Sequence, residues 1–196
     1  MKKTIISIMF GIMLLLPVFG TAQNNNSNKK SDIQTKSISY KIGDQNFRGY
    51  LAWKDDGKKT KPGILVVHEW WGFNEYIKMR TDMLAELGYV AMAVDMYGDG
   101  KVYDTAAEAQ NAAGYIFSHP ELLKERMEKG YEILTSEKTV DKKHVSAIGY
   151  CFGGTVVLNA AAMGLPLETV VSFHGGLNGF KASPAMKNTK VLICNG

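Results

Sequence analysis

Cysteine is scarce in this chain: of its 196 residues, only Cys151 and Cys194 are cysteines. They do not form a C-x-x-C pair, which argues against a thiol redox protein. The sequence also lacks H-E-x-x-H and any cluster of histidine and cysteine at metal-ligand spacing, so we expect no metal site. Neither a G-x-G-x-x-G nor a G-x-x-x-x-G-K-[ST] loop occurs, and we therefore expect no nucleotide cofactor.

A strong excess of charge of one sign is also absent. The net charge is +4, and Lys2 and Lys3 contribute two of these positive charges. The other lysines are scattered along the chain rather than clustered, which gives no basis for nucleic-acid binding. We therefore expect no nucleic-acid partner.

An apolar run at residues 5–19 follows Lys2 and Lys3, and small residues follow the run at 20–22. This order is typical of a cleaved signal peptide, which we place at residues 1–22. The run is short for a membrane-spanning helix, which argues against the alternative of a membrane anchor. No cysteine follows it, so a lipoprotein anchor has no support. We expect export to the periplasm or the medium, with no stable membrane anchor after cleavage.

The rest of the chain predicts a polar linker at residues 23–36 and one α/β domain at residues 37–196. Two β-type runs, near 37–43 and 46–53, predict an antiparallel hairpin at the edge of a sheet. Buried strands and amphipathic helices then alternate. The predicted strands are 64–68, 89–94, 145–149, 169–173 and 190–194, and the predicted helices are 75–87, 104–117, one that opens at Pro120, and 153–163. Such alternation predicts a mostly parallel sheet with helices on both faces.

Residues 149–153 read G-Y-C-F-G, between a predicted strand and a predicted helix. This is the pattern of the nucleophile elbow of the α/β-hydrolases, with a thiol in the place where serine is commoner. A tight strand-to-helix turn requires small neighbours, and it leaves Cys151 at a helix N-terminus that favours a thiolate. The backbone N–H of Phe152, the next residue, is a natural oxyanion donor. The alternative is a buried cysteine in a glycine-rich turn.

A second candidate segment, H-E-W-W-G at residues 68–72, follows the first buried strand. Ligands of open α/β sheets bind beyond the carboxyl ends of the strands, so this segment and Cys151 are expected to converge. The loop should supply a second oxyanion N–H, which we assign to Trp70. The alternatives stay open here: Glu69 as a solvated loop acid, and the two tryptophans as core packing. Cys194 lies in an apolar strand and is interpreted as buried packing, so we do not expect a disulfide with Cys151.

The segments V-H-E-W-W-G (67–72), V-D-M-Y-G (94–98), G-Y-C-F-G-G (149–154), S-F-H-G-G (172–176) and V-L-I-C-N-G (191–196) occur in the order found in the dienelactone hydrolase family. From about residue 37 to its last residue, the chain resembles that family. The resemblance implies an α/β-hydrolase fold and hydrolysis of a small ester or lactone.

The resemblance also implies roles for individual residues. Cys151 would be the nucleophile, and Glu69 the acid that contacts the thiol and helps control its protonation. The oxyanion would be held by the N–H groups of Trp70 and Phe152, and the reaction would pass through a thioester acyl-enzyme. Trp71, Tyr97 and His174 are additional candidates for lining the pocket.

Two features depart from the family pattern. The Asp and His of the family's triad come after the strand that here ends at residues 195–196, so we expect the domain to be C-terminally incomplete and this chain alone to be inactive. The family's arginine for a substrate carboxylate is replaced by G-D-G-K at residues 98–101. A catalytically inactive α/β-hydrolase-fold protein that binds a small ligand is the alternative interpretation.

Overall fold

The computed structural model describes residues 32–195, in which seven strands form a single, mostly parallel sheet. The strands are β1 (Ile33–Ile42), β2 (Gln45–Lys54), β3 (Lys61–Val67), β4 (Val90–Val94), β5 (Val140–Tyr150), β6 (Thr169–Phe173) and β7 (Lys190–Cys194). The helices are α1 (Glu75–Glu86), α2 (Ala106–Ser118), α3 (Pro120–Ser136) and α4 (Phe152–Ala162), with a short 3-10 helix at Pro184–Asn188.

The strand order in the sheet is β1-β2-β4-β3-β5-β6-β7. β1 and β2 form an antiparallel hairpin through the turn at Gly43 and Asp44, and β2 pairs antiparallel with β4. The other five strands, β3 to β7 in chain order, including β4, are all parallel to one another. The predicted edge hairpin and mostly parallel sheet are therefore confirmed. Because the parallel strands share one direction, their carboxyl ends meet at a single edge of the sheet.

Alternation along the central strands explains why both faces of the sheet carry helices. In β3, Leu65 and Val67 belong to one buried cluster, while Ile64 and Val66 belong to another. Successive side chains of a strand point to opposite faces, so a strand that is apolar throughout needs cover on both sides. The first cluster contains residues of α2, α3 and α4, and the second contains Ile77 of α1.

Several element boundaries differ from the sequence-based prediction. β1 begins at Ile33, so residues 33–36 belong to the hairpin and not to the predicted linker. The Asn74 side chain caps α1 by accepting a hydrogen bond from the Ile77 N–H, and Gly88 follows the helix at φ +100°. The helix predicted at 75–87 ends one residue earlier, at Glu86, and Leu87 is 76% exposed.

The proposed signal peptide, and the linker up to residue 31, lie outside the described residues. Within residues 32–195, none of the helices has both the length and the apolar character needed to cross a bilayer.

Candidate active site

Three segments that follow parallel strands meet at the carboxyl edge of the sheet. Residues 68–73 follow β3, residues 95–100 follow β4, and Cys151 follows β5. Their side chains form one aromatic cluster: the Tyr97 ring lies 4.8 Å from the His68 ring and 5.3 Å from the Phe152 ring, measured between centroids. His68 and Phe152 also stack at 5.7 Å. The expected convergence of the H-E-W-W-G segment with the elbow is thus observed.

Cys151 occupies the turn between β5 and α4 with φ +54° and ψ −115°, a conformation that a residue with a side chain rarely adopts. Its own N–H donates to the Phe173 carbonyl at 2.9 Å, and its carbonyl accepts from the Gly154 N–H at 3.0 Å. Strain of this kind amounts to about 1–3 kcal/mol and persists only where the surroundings enforce it. The side chain is partly exposed, and both cysteines are free thiols.

The glycines around Cys151 are required by backbone contacts. A Cβ on Gly149 would lie 2.0 Å from the Gly153 carbonyl oxygen, and one on Gly153 would lie 2.3 Å from the Val67 carbonyl oxygen. A Cβ on Gly154 would lie 2.6 Å from the Ser172 hydroxyl oxygen. No side chain fits at these distances, so the glycines let the first turn of α4 approach both neighbouring strands.

His68 fixes the loop after β3, although it was not among the site residues predicted from the sequence. It is fully buried; its Nδ1–H donates to the Glu69 carbonyl at 2.6 Å, and its Nε2 accepts from the Met96 N–H at 3.1 Å. The neutral tautomer that carries its proton on Nδ1 makes both hydrogen bonds. The Gly72 N–H also donates to the Glu69 carbonyl, at 3.2 Å.

Anchoring the Glu69 carbonyl fixes the direction of the Trp70 N–H. In a trans peptide the C=O of one residue and the N–H of the next point in opposite directions. The Glu69 carbonyl is held by His68 and Gly72, so the Trp70 N–H must point away from both. No hydrogen bond within residues 32–195 uses the backbone N–H of Trp70 or that of Phe152. Both expected oxyanion donors are therefore unoccupied by other parts of the described chain.

Tyr97 holds the same loop from the other side. Its hydroxyl donates to the Trp70 carbonyl at 3.1 Å, and its ring is buried, which raises the pKa of the phenol, with smaller contributions from Tyr103 and Cys151. Tyr97, one of the candidate pocket residues, is thus held in the protein interior by a specific hydrogen bond.

Asp95, a second residue that sequence reasoning left without a role, shapes the loop that carries Tyr97. The carboxylate is buried and accepts from the N–H groups of Arg48, Tyr97, Gly98 and Gly100 at 2.8–3.1 Å. A buried carboxylate is tolerated when several donors surround it. The positions of His68 and Asp95 in the sequence could have indicated their importance, because each is a polar residue directly after an apolar strand.

The other predicted site residues lie near the same edge with fewer contacts. Glu69 is half-buried, and neither its carboxylate nor the Cys151 thiol takes part in a side-chain hydrogen bond within residues 32–195. Trp71 is half-buried, with its ring 5.1 Å from the Trp70 ring. His174 is exposed at the end of β6, with φ +41°, and its N–H donates to the Cys194 carbonyl at 2.8 Å. Their roles stay predictions.

The family model for the dienelactone hydrolase family matches residues 47–194. The chain belongs to the dienelactone hydrolase family. Protein usf of Aquifex pyrophilus is 32% identical over 139 residues, which are 65% of this chain and 56% of that protein. The chain thus spans little more than half the length of this curated relative.

Solved structures of similar sequence share the fold of this dienelactone hydrolase family member. A dienelactone hydrolase-like promiscuous phosphotriesterase from metagenomic libraries is 33% identical and superposes with a TM-score of 0.77. A structure named m3DLH is 31% identical, with a TM-score of 0.78. Each comparison covers 84% of this chain and 69% of the solved one. Among residues 32–195 of this family member, no cluster of three or more His, Cys, Asp or Glu side chains is arranged to hold a metal ion.

The burial of His68 makes the stability of the fold depend on pH. Burial lowers the pKa of His68 below its ordinary value of 6.5. The hydrogen bond to the Glu69 carbonyl and the nearby Asp95 raise this pKa, but by less than burial lowers it. Below pH 6.5 the unfolded chain therefore binds a proton that the folded protein excludes, so stability is lost as the pH falls. We expect the free energy of unfolding to decrease by up to about 1.4 kcal/mol per pH unit below 6.5.

Urea unfolding between pH 7.5 and pH 5 measures this slope. The His68→Asn variant, which cannot take up a proton at this site, should show a shallower slope, whereas His119→Asn, at an accessible histidine, should keep the original one. Equal slopes in all three proteins would contradict the assignment.

Proposed function

We propose that this protein hydrolyses a small carboxylic ester or lactone, with Cys151 as the nucleophile and a thioester acyl-enzyme as the intermediate. The observation that carries this proposal is the backbone of Cys151, which is held at φ +54° between β5 and α4 with its thiol partly exposed. Membership of the dienelactone hydrolase family supports the reaction class. The activity is proposed for the whole natural protein, since this chain spans only 56% of the relative Protein usf.

The proposed reaction has two stages. The Cys151 thiolate attacks the carbonyl carbon, and the resulting oxyanion accepts hydrogen bonds from the N–H groups of Phe152 and Trp70. Collapse of this intermediate breaks the carbon–oxygen bond of the ester and leaves a thioester on Cys151. The departing alkoxide takes up from solvent the proton that the thiol lost on ionisation, and leaves as the alcohol. Water then attacks the thioester, which frees the carboxylic acid and the thiol. The fixed orientation of the Glu69–Trp70 peptide supports the assignment of Trp70 as a donor, because such donors act best when already in place.

The substrate chemistry can extend beyond carboxylic esters. The solved relative described as a promiscuous phosphotriesterase is 33% identical to this chain. We propose carboxylic esters as the main substrates, because the thioester route requires an acyl group.

Export is proposed from residues 1–22 alone. The basic start, the apolar run and the small residues at 20–22 support cleavage after Ala22 and release into the periplasm or the medium. Protein isolated from the natural host should begin at Gln23. An N-terminal sequence that still begins at Met1 would contradict the proposal.

The nucleophile can be tested with Cys151→Ala and, as a matched control, Cys194→Ala. In the complete natural protein, loss of the Cys151 thiol should lower kcat for p-nitrophenyl acetate to the level of the uncatalysed reaction, because no acyl-enzyme can form. The control removes the second free thiol and should keep the original activity. Mass spectrometry of the protein quenched during turnover should detect an added acetyl group on Cys151. Full activity in Cys151→Ala would contradict the proposal. Absence of activity in the unsubstituted complete protein would also contradict it, and would favour a protein that only binds its ligand.

A role of Glu69 in controlling the thiol predicts a change in reactivity. A carboxylate near a thiol disfavours the thiolate, so Glu69→Gln should increase the rate at which iodoacetamide alkylates Cys151 at pH 7, by several-fold. Glu75→Gln, at an exposed acid in the first turn of α1, serves as the control and should react at the original rate. An unchanged rate in Glu69→Gln would exclude this role.

A further inference from the structure

A cavity of about 340 Å³ lies beside the helix that begins at the nucleophile. Three parts of the chain form its walls: the junction of α2 and α3, one side of α4, and the segment after β6. The apolar side chains that line it are Phe117, Pro120, Leu123, Met163 and Phe180. Cys151 itself does not line this cavity, so the cavity is a separate feature of the fold.

The cavity nevertheless begins next to the elbow. Thr155 lines it one helical turn after Cys151, and the Thr155 N–H donates to the Cys151 carbonyl at 3.3 Å. The Thr155 hydroxyl donates to the Gly176 carbonyl at 3.0 Å, which joins α4 to the segment after β6. On the opposite wall, the Phe117 ring lies 5.2 Å from the Phe152 ring. The cavity therefore begins within one turn of α4 from Cys151, and this closeness is the observation that connects the cavity with the nucleophile.

The lining indicates which chemical group fits. None of the lining residues is charged, and apart from Thr155 the polar side chains are the amides of Asn159 and Asn178. The Asn159 amide already donates to the Thr155 carbonyl at 2.8 Å. Such a space, mainly apolar with a few neutral polar groups and several hundred Å³ in volume, is typical of small-molecule sites. A charged group would lose its hydration here without gaining a partner of opposite charge.

We propose that this cavity binds an uncharged alkyl or aryl group of the ester and thereby determines which substrates are preferred. The inference rests on the proposed function, because it assumes that an ester reacts at Cys151. It goes further by giving the substrate class: neutral esters that carry an apolar group larger than acetyl.

Gly176→Leu is the variant that fills the cavity with the least disturbance of the backbone. The φ angle of Gly176 is not positive, and a Cβ there would meet the Thr155 hydroxyl oxygen at 3.6 Å, an ordinary contact. Gly114→Leu is the matched control, since a Cβ on Gly114, in α2, meets nothing within 4 Å. Met163→Phe narrows the same cavity from the residue that follows α4, and serves as a second variant in case Gly176→Leu fails to fold.

The measurement is kcat/KM of the complete natural protein for p-nitrophenyl acetate and p-nitrophenyl hexanoate. The original protein should prefer the hexanoate, and the ratio of hexanoate to acetate should fall about tenfold or more in Gly176→Leu and Met163→Phe, because lost apolar contacts discriminate to that extent. Gly114→Leu should keep the original ratio. A ratio that is unchanged in both filling variants would overturn the cavity proposal and leave the proposed function intact.

Binding of 2-naphthol, followed by saturation-transfer NMR, separates the two proposals. If the protein binds 2-naphthol, and the filling variants do not, the cavity binds apolar groups even when neither ester is hydrolysed; the proposed function alone then fails. If 2-naphthol does not bind, or binds equally well to the filling variants, the cavity proposal is wrong whatever the esterase activity.

Discussion

The left-handed backbone of Cys151 is the constraint on which the rest of the site depends. A residue with a Cβ holds φ +54° only where its neighbours leave no alternative. Here backbone atoms crowd the residues on both sides of Cys151. A Cβ on Gly149 would collide with the Gly153 carbonyl oxygen, and a Cβ on Gly153 would collide with the Val67 carbonyl oxygen. The strain is balanced by the packing of α4 against β3, β5 and β6, so the chemistry of the elbow is supported by the stability of the sheet.

The loops opposite the elbow are held by a different kind of interaction. Hydrogen bonds to buried polar groups fix them: His68 joins the loops after β3 and β4, Tyr97 holds the Trp70 carbonyl, and Asp95 gathers backbone N–H groups around itself. Breaking such a bond leaves a buried group without a partner, which costs about 1–3 kcal/mol. The backbone N–H groups near the elbow are therefore held in place before any substrate arrives, which is the condition that the proposed oxyanion donors require.

Reaction and selection are assigned to different parts of the fold. In the proposed function, the elbow and the loop after β3 provide the nucleophile and the oxyanion donors. The cavity between α4, the α2–α3 junction and the segment after β6 provides uncharged, mainly apolar walls. The two share the helix α4, whose first residues surround Cys151 and whose next turns line the cavity. A change in the cavity walls can thus alter the preferred substrate without altering the strained turn.

The sequence by itself determined the architecture and the strand–helix turn that holds Cys151. Continuous apolar strands alternating with capped helices specify a covered parallel sheet, and a cysteine between glycines at a strand–helix junction specifies an elbow; both signals are local in the chain. Boundaries at the ends of elements, such as Ile33 and Glu86, differ from the predicted ones because they depend on where pairing and packing stop.

Only the tertiary structure decided which residues meet. His68 and Glu69 are adjacent in sequence, yet His68 is buried, with its Nε2 accepting a hydrogen bond from the Met96 N–H, while Glu69 stays half-buried. The cavity is assembled from α2, α3, α4 and the segment after β6, which are distant in the chain. Periodicity and local motifs reveal each wall of such a cavity, but the space between the walls exists only once the helices have packed onto the sheet.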